Sequence, residues 1–153
     1  MNYKLNQLEI YLKSKKELLN ITDANIDSFI SQGQLRAGKH IETVDGFSFA
    51  YFEYEGRISI DNLLNEKFEL LMIFIKAWLD DFDNLRKKLP QPIFTKEKID
   101  DNNEKVVVTI KFIDELFLTP DETGPINWQQ GTFSIEAHDV KIATSGTVNS
   151  AKI

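Results

Sequence analysis

The chain contains no cysteine, which removes disulfide bridges, thiolate metal sites and cysteine nucleophiles together and suits an intracellular protein. Histidine is nearly absent as well. Only His40 and His138 are available as a general base, and neither has a serine, cysteine or glutamate at a motif spacing. Glycines are few, and Gly33, Gly38 and Gly46 match neither Gly-x-Gly-x-x-Gly nor a loop ending in Gly-Lys-Ser/Thr, so nucleotide binding has no support. Long apolar runs are missing too. The longest, residues 70–75, stops at Lys76 and is too short to cross a bilayer, and Met-Asn-Tyr-Lys-Leu-Asn-Gln at the start has no apolar signal region. Surplus positive charge is also lacking: 18 Lys and Arg against 24 Asp and Glu leave −6, which argues against a general phosphate-backbone binder. A soluble protein with no membrane partner and no direct nucleic-acid contact is expected.

What the chain does have is apolar mass, with 42% hydrophobic residues and 11 Phe in 153 residues. That is enough for one core without a metal or disulfide staple, so no cofactor is expected. The most informative stretch is Phe68-Glu-Leu-Leu-Met-Ile-Phe-Ile-Lys-Ala-Trp-Leu-Asp-Asp-Phe82. As a helix it carries two apolar stripes, Leu71, Phe74, Trp78, Phe82 and Leu85 beside Phe68, Met72, Ile75 and Leu79. Such a helix must be covered on more than one side, by a sheet and by small helices or a neighbouring subunit.

Leu5, Leu8, Leu12 and Leu19 recur at helical spacing and predict an amphipathic first helix. Thr22 or Asp23 can cap a short second helix carrying Ile26, Phe29 and Ile30, with Gly33 as its stop. Residues 47–54 are aromatic-rich and residues 57–61 alternate, so both read as strand. Glu55-Gly56 between them is a hairpin turn or a bulge in one long bent strand; the second is preferred, because Glu-Gly makes a poor two-residue turn. The long helix starts near Asn62 or Asn65 and is limited by Pro90 and Pro92. Ile93-Phe94 opens a short strand, and residues 100–103 form a turn. Val106, Val108, Ile110 and Phe112 define the strongest strand, expected to reach Leu118 with a break near Asp114. Residues 119–125 read as a loop, and Phe133, Ile135 and Ala137 as a last strand.

No constellation points to a reaction. Asp80, Asp81 and Asp83, and later Asp100, Asp101 and Glu104, read as solvated carboxylates, because Lys105 stands where a calcium loop needs its turning glycine. His138 alternates onto the polar face of its strand. Phe47, Phe49, Tyr51, Phe52 and Tyr54 resemble a base-stacking platform, but the charges between and after them are Glu53 and Glu55, so core packing is favoured. Trp78 lies within an apolar stripe and reads as core. Trp128 follows a loop stiffened by Pro120 and Pro125 and is either an interface anchor or locally packed; these three residues are the candidate interface.

The order of elements predicts an α+β fold, helices packed on a largely antiparallel sheet, in one domain over residues 1–142, with 143–153 a flexible tail. The segment Phe68-Glu-Leu-Leu-Met-Ile-Phe-Ile-Lys-Ala-Trp-Leu, preceded by Ile58-Ser-Ile-Asp-Asn62 and followed by Asp101-Asn-Asn-Glu-Lys-Val-Val-Val-Thr-Ile110, resembles the tail completion protein R family of P2-like contractile-tailed phages. The resemblance takes in the first helix, Phe29-Ile-Ser-Gln-Gly33 and Asp114-Glu115, and runs over residues 5–123.

The resemblance implies a structural protein without catalysis. It would act in the virion tail, after assembly in the host cytoplasm, as a tail terminator that caps the head-proximal end of the tube and enables head–tail joining. Implied partners are other copies in a ring of expected size six, the tail tube protein, a second tail completion protein and the head–tail connector. Two other classes compete: a small acidic intracellular binding or inhibitor protein, and an enzyme without a recognisable motif.

Overall fold

The computed structural model describes residues 3–135. Helix α1 (Lys4–Ser14) is followed by one turn, α2 (Lys16–Leu19), then strands β1 (Ile26–Ala37) and β2 (Phe47–Leu64). Helix α3 (Phe68–Phe82) leads to β3 (Ile93–Lys98), β4 (Asn103–Pro120), β5 (Ile126–Trp128) and β6 (Gly131–Ile135). The strands form one curled antiparallel sheet in the order β1-β2-β4-β6-β5, with β3 also on β4. This is the expected α+β fold.

Leu5, Leu8 and Leu12 are buried at spacings of three and four, so α1 lays one stripe on the sheet. The first helix is shorter than its leucine pattern implies, because the chain leaves helical geometry at Lys15. Asn20 then ends α2 in the left-handed conformation, φ 59°, and Ile21 N–H donates to the Lys16 carbonyl at 3.0 Å. Of the two stripes of α3, Leu71, Ile75, Trp78 and Leu79 are buried. Phe74 meets Tyr11 of α1 edge-on at 6.3 Å, and Phe68 meets Phe94 of β3 at 5.8 Å, so the second side is covered from within the chain. Regular helix begins at Phe68, after a 3₁₀ turn at Asn65–Lys67. Asn62, φ 56°, instead sits in a bulge of β2.

The expected second helix is a strand. A single 3₁₀ turn, Asp23–Asn25, precedes β1, and Ile26, Ser28 and Ile30 alternate toward the helices, opposite Ile60, Ile58 and Gly56. The helical spacing of Ile26, Phe29 and Ile30 loses to sheet pairing, which satisfies the backbone groups along one edge of an 18-residue strand. Gly33 is no helix stop. A Cβ there would lie 2.4 Å from the Phe52 ring, so glycine admits that ring against the β1 backbone.

Glu55-Gly56 lies inside β2, which runs continuously through it. The glycine has a packing reason: a Cβ at Gly56 would come within 2.8 Å of a Leu5 methyl. Strand β4 passes Asp114 without a break and reaches Pro120, so the expected interruption is absent and the start of the predicted 119–125 loop is strand. The last strand is confirmed as far as Ile135; Ala137, His138 and the predicted tail lie outside the described residues.

Candidate assembly surfaces and the buried polar cluster

Pro120, Pro125 and Trp128 come together at the end of the sheet that reaches beyond the helices. Pro120 closes β4 opposite Phe133 and is exposed. Pro125 is exposed just before β5, after a tight turn in which the Asp121 carboxylate accepts from Thr123 N–H at 3.0 Å and Gly124 N–H donates to the Asp121 carbonyl at 2.9 Å. A Cβ on Gly124 would stand 2.2 Å from the Phe133 carbonyl, so only glycine permits this approach.

Trp128 is half-buried, with ring centroids at 5.3 Å from Phe47, 5.3 Å from Phe49 and 5.4 Å from His40. Gln129 and Gln130, both at positive φ, turn the chain from β5 into β6. Phe133 joins the group edge-on to Phe47 at 5.5 Å. His40 contributes a ring and a hydrogen bond between Nε2 and the Phe49 carbonyl at 2.9 Å. These rings form a second, smaller cluster outside the main core. The aromatic run of β2 is therefore divided: Tyr54 and Phe52 serve the helix-covered core, while Phe47 and Phe49 serve the far end. Ile41 and Val44, in the connection from β1 to β2, are 68% and 94% exposed, and Leu35 of β1, opposite Phe52, is 67% exposed.

A cluster that sequence reasoning missed lies where α1 begins. Tyr3 supplies no side-chain cap to α1; Asp114, from the middle of β4, accepts Lys4 N–H at 3.2 Å instead. The same carboxylate accepts from the Tyr54 hydroxyl at 2.5 Å, and that hydroxyl accepts Leu5 N–H at 3.2 Å. Two orphan donors of the helix are thereby satisfied by side chains from two strands, Asp114 of β4 and Tyr54 of β2. Lys4 Nζ reaches the Asp83 carboxylate and the Ile113 carbonyl, each at 2.8 Å. Arg86 bonds Asp83 through Nε at 3.0 Å, donates to the Lys111 carbonyl at 2.6 Å, and lays its guanidinium over the Phe112 ring at 5.2 Å. Lys4 and Arg86 thus both pair with Asp83, while Asp114 is held by hydrogen bonds from Lys4 N–H and the Tyr54 hydroxyl, and all four charged residues are at most 8% exposed.

Burial pushes the Asp114 carboxyl above its usual range, against the opposing pull of the Tyr54 hydroxyl and Lys4. Asp83, expected to be a solvated helix carboxylate, is buried at 4% exposure, because α3 ends at Phe82 and turns it inward onto Lys4 and Arg86. The only sequence signal was the Asp83-x-x-Arg86 spacing. The cluster ties α1, the end of α3 and β4 together, and the hydrogen bonds its members make to one another and to the backbone are those of a structural joint.

Among the described residues no group of three or more His, Asp or Glu side chains is placed to hold a metal ion. A shallow cavity of about 280 Å³ opens beside Gln32, Gln34, Glu53, Glu55 and Lys111. Its acids are already engaged: Arg36 Nε pairs with Glu53 at 2.6 Å, and Ser31 donates to Glu55 at 2.8 Å. The Ser31 hydrogen bond holds the Glu55 carboxyl below its ordinary range. No described helix is long and apolar enough to cross a membrane.

Compared with known families, residues 2–137 match the P2 phage tail completion protein R (GpR) family. The chain belongs to that family. The match extends past residue 123, where the resemblance in the sequence fades, and takes in β5, β6 and Trp128. The GpR family is one of structural phage tail proteins, and this member is a phage tail completion protein of the virion tail. No curated protein and no solved structure matches the chain. Within this GpR fold, the buried charges belong to the joint between helices and sheet, whereas Pro120, Pro125 and Trp128 lie at the sheet's projecting end.

Proposed function

We propose that this tail completion protein is a terminator: it caps the head-proximal end of the tail tube and thereby makes the tail competent to join a filled head. The family assignment carries the reading. The architecture supports it, because Leu35, Ile41 and Val44 are exposed apolar side chains and Trp128, half-buried against His40, lies in the part of the sheet outside the main core. A terminator needs one face complementary to the last tube ring and an opposite face that templates no further ring. Copies of the chain form a closed ring, with six as the expected number, through heterologous contacts that close by rotation. The ring's partners are the tube protein, a second completion protein and the head–tail connector. Assembly takes place in the host cytoplasm, with Pro120, Pro125 and Trp128 at one contact surface and no catalytic step in this chain.

The test is deletion of the gene in an inducible phage, with electron microscopy of the lysate. Filled heads beside unjoined tails of irregular length are expected, and the intact gene supplied in trans should restore joined particles. Trp128→Ala, verified as folded by circular dichroism, should restore them poorly. Joined particles of normal tail length from the deletion strain would overturn the terminator reading.

A further inference from the structure

Among the described residues, β1 is the longest strand at the sheet's margin, with 12 residues against six in β3 and three in β5. It pairs with β2 on one side and with no described strand on the other. Such an edge presents a row of backbone donors and acceptors that another strand can meet.

The sequence of this edge is complementary to itself. Asp27 and Arg36 stand near its two ends, and both are exposed. Asp27 makes no ion pair among the described residues, and Arg36 pairs with Glu53 through Nε, leaving its Nη groups available. Reversing β1 about the midpoint of Ser31 and Gln32 sets Asp27 opposite Arg36 of the second strand, and Arg36 opposite its Asp27.

The faces agree as well. Residues opposite one another in an antiparallel pair share a face. Before the bulge between Ile30 and Gln32, positions 26, 28 and 30 face the helices; after it, positions 33, 35 and 37 do, opposite Tyr54, Phe52 and Ala50. The reversal maps 26 onto 37, 28 onto 35 and 30 onto 33, so each meets its own kind. Without the extra residue the parity would fail. A bulge commonly protects an edge from pairing; here, at the midpoint, it makes the edge self-complementary.

Leu35 gains cover in this arrangement. It faces the helix side at 67% exposure, and it would lie opposite Ser28 of the second copy, the residue whose hydroxyl donates to Glu9 of α1. The bare half of one sheet face thus meets the helix-covered half of the other.

We propose that β1 is a docking edge for a second copy of this chain, pairing antiparallel with its β1 about a two-fold axis between Ser31 and Gln32. A two-fold contact closes after two copies. It therefore describes the chain free of the tail and stands or falls independently of the terminator ring.

Sedimentation velocity of the purified chain tests it. The wild type should dimerise at micromolar concentrations, and Asp27→Lys or Arg36→Glu should each weaken association by about tenfold or more through like-charge opposition. The double variant Asp27→Lys/Arg36→Glu should restore it. Since the chain has no cysteine, Asp27→Cys/Arg36→Cys should give a covalent dimer on mild oxidation, with protection of the β1 amides that point away from β2, which the dilute monomer lacks. A monomeric wild type, unaffected single variants, or a double variant as weak as the singles would overturn the proposal. So would protection of these β1 amides that appears only when purified tube protein is added.

Discussion

The Lys4 ammonium and the Asp83 carboxylate, 79 positions apart in the chain, meet at 2.8 Å, with side chains only 9% and 0% exposed. This contact fixes the start of the first helix to the end of the third. Burying an ion pair is costly, and the cost is offset only where each remaining donor and acceptor also finds a partner. Here Asp83 is shared with Arg86, and Lys4 donates further to the Ile113 carbonyl.

Removing one partner should therefore be far more harmful than the pair's net value implies. Lys4→Met is expected to cost about 3–5 kcal/mol, since it leaves part of the Asp83 charge uncompensated in the interior. Urea denaturation measures this. A loss below about 1 kcal/mol would show that Arg86 alone neutralises Asp83.

Asp114 gives a prediction with a definite sign. Its folded pKa lies above the ordinary 3.8 because it is buried. The associated stabilisation is fully present below the unfolded value and is lost as pH rises through the folded value. Asp114→Asn keeps an acceptor for Lys4 N–H and Tyr54 but cannot titrate. The stability of the wild type relative to this variant should thus fall as pH is raised from about 4 toward neutrality. A relative stability that grows over that range would mean that Lys4 and Tyr54 outweigh burial.

Trp78 is 5% exposed and belongs to the main core cluster beneath α3. Trp78→Ala should cost about 3–5 kcal/mol, the range for truncating a buried large aromatic residue. Thermal unfolding of the free chain is the measurement, and a change within about 0.5 kcal/mol would remove Trp78 from the core.

Gly46 stands at φ +129°, and a Cβ there would lie 1.9 Å from the Leu118 carbonyl oxygen. Gly46→Ala should destabilise by about 2 kcal/mol or more, from strain and from displaced backbone at the edge of the aromatic cluster. Increased Trp128 emission change or protease sensitivity over residues 38–46 would accompany it. An alanine variant as stable as the wild type would show that this turn relaxes freely.

Where local chemistry dictated structure, the sequence was legible. The leucine spacing of α1, the double stripe of α3 and the alternation of β4 each report a periodic burial, and each element formed. Gly56 was read correctly as part of a continuous strand, although its reason, the approach of Leu5, is tertiary. The candidate interface trio combined loop stiffening by Pro120 and Pro125 with Trp128 as a candidate aromatic anchor; in the fold Pro120 lies opposite Phe133 and Trp128 packs against Phe47.

The failures share a cause. In residues 26–33 a helical spacing was overruled because β2 offered a long edge whose hydrogen bonds β1 could complete. Asp83 and Asp114 looked like a solvated carboxylate and a strand break, since Lys4, which joins Arg86 on Asp83, and the Lys4 N–H and Tyr54 hydroxyl that hold Asp114 are all remote in sequence. By itself, then, the sequence determined the α+β class, the main apolar core and the family resemblance, through periodicity and composition that act over a few residues. Only the tertiary structure decided which carboxylates are buried, which glycines are required and which strand is left with an open edge. Those outcomes depend on groups separated by tens of positions, and no local pattern records which of them will meet.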